Sequence, residues 1–518
     1  MVFEAHLTRE GHQWTPQSGL SSGIPSIGVI KPATNRPSDK VHEVLVIGAG
    51  YTGLTALRDL TTAGHDVILV EGRDRIGGRT WSSNIDGYAY EMGGTWVHWN
   101  QPFVWRELAR YGMSKDLEIT PVTGRGLDKA TFVRPEGTVH MNREEEFTAL
   151  NTAVRKFVNV DGKHGRGLIP FPHNPHFNPD VVHYDTMSFA DRFAQIADDV
   201  TPLQLQLLQT FLSVTSGGTM ENSAFFEFLR WWALNNYDLQ EFSELCLTFK
   251  LRDGQSALAR RIFDDAVATG NLTYRFDAPV VSVTDVGSHV EVKTRGGDIF
   301  RAKRVIATVP LNVLNNIIWS PPLLTGKSEA ASQGHINHCT KVHAEVANPA
   351  LRSFTGYVWE GPLSWTFGDG TTPAGNTHLV AFGPSYPGIQ LKLAADGARG
   401  ALSAYKAFAP SEFDDIRRLV FHDWNEDEFA MGTWEFLAPK MSTTYLDVLR
   451  KRQGNVLFAS ADWADGWRGF IDGGIEDGAK AAMELVLEFR AAKEGEKTVV
   501  KKLTEIDLNA GKRTSYKL

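Results

Sequence analysis

Val44-Leu45-Val46-Ile47-Gly48-Ala49-Gly50-Tyr51-Thr52-Gly53 is followed eighteen residues later by Glu71, which closes the run Val67-Ile68-Leu69-Val70. A strand-length apolar run, three glycines spaced G-x-G-x-x-G, a helical stretch, a second apolar run and an acid spell a βαβ unit that holds an adenine dinucleotide. Gly48 permits the tight turn out of the strand, Gly50 lets backbone approach a pyrophosphate, and Gly53 lets the helix pack closely on the strand. The helix begins within this motif, so its unpaired N–H groups and positive dipole end face the phosphates. Glu71 is placed to accept hydrogen bonds from a ribose. An acid there speaks against the phosphorylated ribose of NADP.

The sequence continues directly into Arg73-Asp74-Arg75-Ile76-Gly77-Gly78-Arg79-Thr80, and Glu91-Met92-Gly93-Gly94-Thr95-Trp96 follows soon after. Two glycine pairs allow two further close backbone approaches, and Arg79 can place a guanidinium fork on a pyrophosphate. Together these blocks resemble the glycine-rich signature of flavin-containing amine oxidases. The resemblance implies FAD, with Arg73, Gly78, Arg79, Gly94, Thr95 and Trp96 joining the opening motif as cofactor contacts.

Further along stand Trp81-Ser82-Ser83-Asn84-Ile85-Asp86-Gly87-Tyr88, Cys339-Thr340-Lys341-Val342-His343-Ala344-Glu345-Val346 and Gly368 to His378. With these the likeness runs from Val44 to Phe489 and resembles the flavin-containing monoamine oxidases, the fungal ones in particular. It implies an α/β chain with a two-domain flavin amine oxidase fold: a Rossmann-like FAD-binding domain and an α+β substrate domain. The implied reaction is oxidation of an amine to an imine, which water hydrolyses to an aldehyde or ketone plus ammonia, with O2 reduced to H2O2. Primary monoamines are the expected substrates.

Carried over position by position, the resemblance gives Lys341 a place beside the reactive edge of the flavin and makes Trp434 and Phe470 the two rings that flank the amine. Many members use two tyrosines there, so the departure bears on substrate choice. Ala461 and Asp462 would meet the ribityl chain, Ile471 the flavin ring, and the backbone of Val280 the adenine. Phe211, Leu245, Cys246 and Trp365 are the expected pocket walls. Without the resemblance, a strand lysine reads as solvated, the rings as core, and Asp462 as a helix cap. Mammalian monoamine oxidases attach FAD through a cysteine near the aromatic pair, and no cysteine follows Cys339 here. FAD is therefore expected to bind non-covalently. Polyamine and L-amino-acid oxidases share the nucleotide motifs and stay open as alternatives, as does an FAD-binding scaffold without turnover.

The chain has 518 residues and a net charge of −8 from 53 basic and 61 acidic residues, so no basic excess points to nucleic acid. Its two cysteines make no disulfide framework, and no Cys/His cluster has metal-ligand spacing. The expected division is an N-terminal arm (1–40), an FAD-binding domain from three pieces (41–125, 254–332 and 440–490), a substrate-binding domain (126–253 and 333–439) and a C-terminal tail (491–518). Pro16, Pro25, Pro32 and Pro37 suggest that the arm runs extended across the surface. Residues 140–250 read as mainly helical, with Glu144-Glu145-Glu146 on a solvated face. No apolar stretch reaches the roughly 20 residues of a membrane span. The ending Tyr516-Lys517-Leu518 only partly matches a peroxisomal signal, which leaves a cytoplasmic or peroxisomal location expected. The expected partners are a small amine and O2, with a homodimer open.

Overall fold

The computed structural model describes residues 3–31, 40–120, 124–409 and 411–494. Pro32, Pro37 and the ending Tyr516-Lys517-Leu518 lie outside the described residues.

Val41–Ile47 and Val67–Val70 are parallel strands, with Val44 beside Val67 and Ile47 beside Val70, and the helix Tyr51–Thr62 connects them. Their apolar residues are continuous rather than alternating because both sheet faces are covered. Leu272–Arg275 adds in parallel to Val67–Val70. On the other side, Ile299–Ala307 runs parallel to Val41–Ile47, and Val456–Phe458 pairs with its last three residues. Val290–Thr294 and Val280–Asp285 extend this sheet antiparallel. Three distant stretches of sequence thus meet in one eight-stranded sheet. The helix Ile471–Glu494 lies against Tyr51–Thr62, and the contact needs Gly478, since a Cβ there would overlap the Thr52 carbonyl.

In a second, nine-stranded sheet Thr340–Val346 pairs antiparallel with Thr377–Gly383 on one side and Ile416–Phe421 on the other. The face that carries Lys341 and Phe382 looks toward helices that include Arg143–Val158, Pro202–Ser216, Phe225–Leu234 and Leu239–Leu247, which share a core rich in phenylalanine and tryptophan, and Leu393–Lys406 packs on the opposite face.

The structure corrects two expectations here. The N-terminal segment does not simply lie across the surface: His12–Thr15 pairs with Ile416–Phe421 and Gly19–Ser22 finishes the sheet. Without it, Ile416–Phe421 would be an edge with unpaired backbone groups. Glu146 is not solvated either. It is buried, accepting from Tyr357 Oη at 2.6 Å and pairing with Arg143, while Glu145 closes the capping box with Asn142.

Candidate active site

The nucleotide end is built by the βαβ unit. Gly48 has a φ of +102°, in the region that favours glycine, and a Cβ on Gly53 would overlap the Gly48 carbonyl oxygen. Gly50 caps the helix without a side chain, and a Cβ on it would meet only Gly78 Cα at 4.0 Å. Bare N–H groups and an open approach at Gly50 form the cradle a pyrophosphate requires. Glu71 is buried at the strand end, where its carboxylate accepts from Ala49 N at 2.6 Å and Arg73 N at 2.8 Å. Burial pushes its pKa above the usual carboxylate range against the pull of Arg73.

From this cradle one cavity of about 490 Å³ runs to an aromatic chamber. Gly48, Gly50, Tyr51, Thr52, Glu71, Arg73, Gly78, Arg79, Gly94, Thr95, Trp96, Val280, Ala461 and Ile471 all line it. So do Lys341, Trp434, Phe470, Phe211, Cys246 and Trp365. The structure thus brings together residues more than four hundred positions apart. Gly53 acts behind the wall, in the helix–strand contact.

Lys341 sits on the strand Thr340–Val346 opposite Phe382 and is buried. Its Nζ donates to Gly93 O at 2.9 Å and Thr95 Oγ1 at 2.7 Å, and lies 5.5 Å from the ring centres of both Trp96 and Phe382. Burial lowers its pKa to about 8, with Glu91 pulling the other way. Burial likewise raises Glu91 to about 7 against Lys341. Trp434 is fixed by an indole hydrogen bond to Thr215 O at 2.9 Å, and Phe470 by ring contacts to Trp231 at 4.7 Å and Trp467 at 5.0 Å.

A profile of the family described as "Flavin containing amine oxidoreductase" matches residues 51–486. The chain belongs to this family. Among curated proteins, it is 30% identical over 455 residues to a pseudooxynicotine dehydrogenase of Pseudomonas sp, covering 86% of each chain. It is 28% identical over 476 residues to a nicotine dehydrogenase of Pseudomonas putida, covering 90% of this chain and 94% of that one. In fold it resembles a putrescine oxidase solved with putrescine, with a TM-score of 0.71 at 20% identity over 86% of this chain and 99% of that chain. Both Pseudomonas relatives are bacterial, so the fungal subtype stays a resemblance.

As a flavin-containing amine oxidoreductase the chain takes FAD, and the open approach at Gly50 beside the bare helix end fits its pyrophosphate. Three expected residues stand differently from their reading. Leu245 is fully buried with Leu234 and Trp467 and is not on the wall. On the helix Leu239–Leu247 it is Phe242, Cys246 and Leu247 that reach the cavity, and Leu245, a quarter-turn from Cys246, points away to Leu234 and Trp467. Asp462 is fully buried and off the wall: it accepts from Leu311 N at 2.9 Å and from Arg79 Nη2 at 2.5 Å, so it positions Arg79. The other branch of the Arg79 fork reaches Thr433 O at 2.8 Å. Arg73 touches the cavity, but its guanidinium is bound at both ends by Asp427, at 2.8 Å each, and also pairs with Glu10.

Sequence reasoning missed Trp231, Phe242 and Phe382 as walls. Trp231 lies in Phe225–Leu234, a helix buried all round, where no polar face marks which side meets a cavity. Phe382 was legible in principle, as the residue that its strand pairs opposite Lys341.

Proposed function

We propose that this chain oxidises a hydrophobic monoamine to its imine, with O2 as the acceptor and H2O2 and the hydrolysed aldehyde or ketone as products. The observation that carries this reading is the composition of the chamber. Phe211, Trp231, Phe242, Trp365, Phe382, Trp434 and Phe470 line it, and Lys341 is its one charged group among the described residues. The other charged groups on the cavity wall are tied up among themselves or with the backbone: Arg79 to Asp462, Arg73 to Asp427, Arg295 to Glu428, and Glu71 to the N–H groups of Ala49 and Arg73. A polyamine needs a carboxylate for its second ammonium, and an amino acid needs a guanidinium for its carboxylate. Neither is at hand in the chamber.

Bound FAD supplies the two-electron oxidation. The chain's own groups do the rest. Aromatic walls exclude water, which disfavours the ammonium and leaves the nitrogen lone pair available. Trp434 and Phe470 flank the amine and hold its Cα–H in line for transfer. Lys341 spends two N–H groups on Gly93 and Thr95 and has a third to give a water at the reactive edge. FAD is held without a covalent bond.

The expected substrate is a primary monoamine. The names of the two Pseudomonas relatives, taken with the aromatic walls, favour an amine that carries an aryl ring. Purified protein is tested with benzylamine, butylamine, nicotine, spermidine and phenylalanine, following O2 uptake, H2O2 and loss of yellow colour. Benzylamine should be the best substrate, and turnover of nicotine in its place would keep the aryl amine but overturn the primary one. Turnover of phenylalanine or spermidine alone would overturn the reading, and no bleaching by any amine would favour a scaffold without turnover.

A further inference from the structure

Beneath the chamber lie four ionisable side chains with almost no solvent contact: Glu227, Arg230, Glu435 and Arg468. They come from three segments with no strand pairing among them, and each segment carries one chamber ring. Glu227 and Arg230 are on the helix of Trp231, Glu435 follows Trp434, and Arg468 stands two residues before Phe470.

The bonding is continuous. Arg230 donates to Glu227 Oε2 at 3.0 and 3.2 Å, and also to the carbonyls of Gly466 at 3.4 Å and Arg468 at 3.3 Å. Arg468 forks between the other two segments, donating to Glu435 Oε1 at 3.1 Å and to Glu227 Oε1. Arg230 Nη2 stands 3.7 Å from Glu435 Oε2, which has no hydrogen-bond partner among the described residues. That oxygen lies under Gly469, where a Cβ would come within 3.3 Å of it, and Gly469 is itself on the cavity wall.

Four buried charges are a poor source of stability, because desolvation consumes most of the Coulomb gain and apolar residues would fill the space as well. Planar guanidinium forks do what apolar packing does not: they fix angles and distances among the groups they join. We propose that this quartet sets the separation and tilt of Trp434 and Phe470, with Arg468 as the positioning residue that joins their two segments through Glu435 and Glu227. The inference rests on the reading that those two rings flank the amine. The amine chamber is then a slot of fixed width suited to a flat aryl group, and its width is set from below by residues that never touch substrate.

The test uses the FAD-loaded protein and 4-phenylpyridine, a slender aromatic base with no sp3 C–H beside its nitrogen to oxidise. Its binding is read from the spectral shift of the bound flavin. Arg468→Lys keeps the charge but replaces the fork by one ammonium, and Glu435→Gln keeps the acceptor to Arg468 while removing the charge. Arg468→Lys should weaken 4-phenylpyridine binding and raise the KM for benzylamine by about tenfold, with FAD content and melting temperature near wild type. Glu435→Gln, which preserves the fork, should keep most of the affinity. Wild-type affinity in Arg468→Lys with a lowered melting temperature would reduce the quartet to a structural role and overturn the inference. If Arg468→Lys does not fold, Glu227→Gln, which weakens the same fork from its other end, is read in the same way. Failure of wild type itself to bind 4-phenylpyridine would instead refute the aromatic-amine reading.

Discussion

Replacing Lys341 by methionine separates the chemistry from the holding of the cofactor. Methionine fills nearly the same buried volume, so packing between Trp96 and Phe382 is kept. The loss is two hydrogen bonds from Nζ, at 2.9 Å to Gly93 O and 2.7 Å to Thr95 Oγ1. Bonds from a charged donor contribute about 1.5–3 kcal/mol each, but one acceptor is a backbone carbonyl and the other a hydroxyl that already donates to Gly93 O. Glu91 also loses its largest opposing charge, yet burial already holds its pKa near 7, so it can take up a proton rather than stay buried and ionised. The net stability cost is therefore about 1–3 kcal/mol. FAD content should not change, because Nζ touches neither the Gly48–Gly53 turn nor Glu71. The rate is another matter: one preorganised donor at a reacting centre is worth about 10²–10³-fold. Anaerobic stopped-flow with benzylamine gives the bleaching rate, and mixing the bleached protein with O2 gives the rate at which colour returns. At least one of these should fall by about 10² or more. Wild-type values for both, in a variant with full FAD content, would remove Lys341 from the chemistry.

Gly50→Ala should fold yet lose FAD on gel filtration, since its Cβ enters only the open approach beside Gly78, whereas Gly53→Ala should express poorly, since its Cβ overlaps the Gly48 carbonyl oxygen. Acid precipitation should leave the yellow colour in the supernatant, and colour in the pellet would show a covalent flavin. Asp472 accepts from Phe103 N at 2.6 Å and Val104 N at 2.7 Å, and burial pushes its pKa up to about 7. Its folded pKa lies above its unfolded one, so the folded chain binds the extra proton and stability drains away as pH rises from about 4 to about 7. Asp472→Asn lacks this loss, so the difference in unfolding free energy from wild type should move in the variant's favour by about 2 kcal/mol between pH 5 and pH 7. Denaturant midpoints at the two pH values give it, and a constant difference would refute the assignment.

What was legible in the sequence follows from how local each signal is. The turn from Ile47 to Gly53 is decided by contacts within ten residues, so its glycines announce it. The continuous apolar runs at Val44–Ile47 and Val67–Val70 announce a sheet covered on both faces. The N-terminal segment gave no such sign, because its place is decided by a distant edge at Ile416–Phe421 that needed a partner. Glu146 looked solvated because helix periodicity cannot know that Tyr357 lies across from it. Lys341, Trp434 and Phe470 were reached through family resemblance alone. Nothing in a strand lysine or a lone ring tells where the chain will bring it.

The same logic explains why Arg73 and Asp462 stand differently from their reading. Their types, a cation after the ribose acid and an acid after the last strand, suit direct contact with a dinucleotide. In the fold, Asp427 closes on Arg73 from 354 residues away, and Arg79 on Asp462 from 383. A charge buried beside a binding cradle must be neutralised by some partner, and where the chain supplies one the side chain becomes a support for the site. The sequence displays the charge but not its partner, so motif reading overcounts ligands among the arginines and carboxylates of a buried site. It undercounts apolar walls such as Phe242, whose side chain needs no partner to be buried.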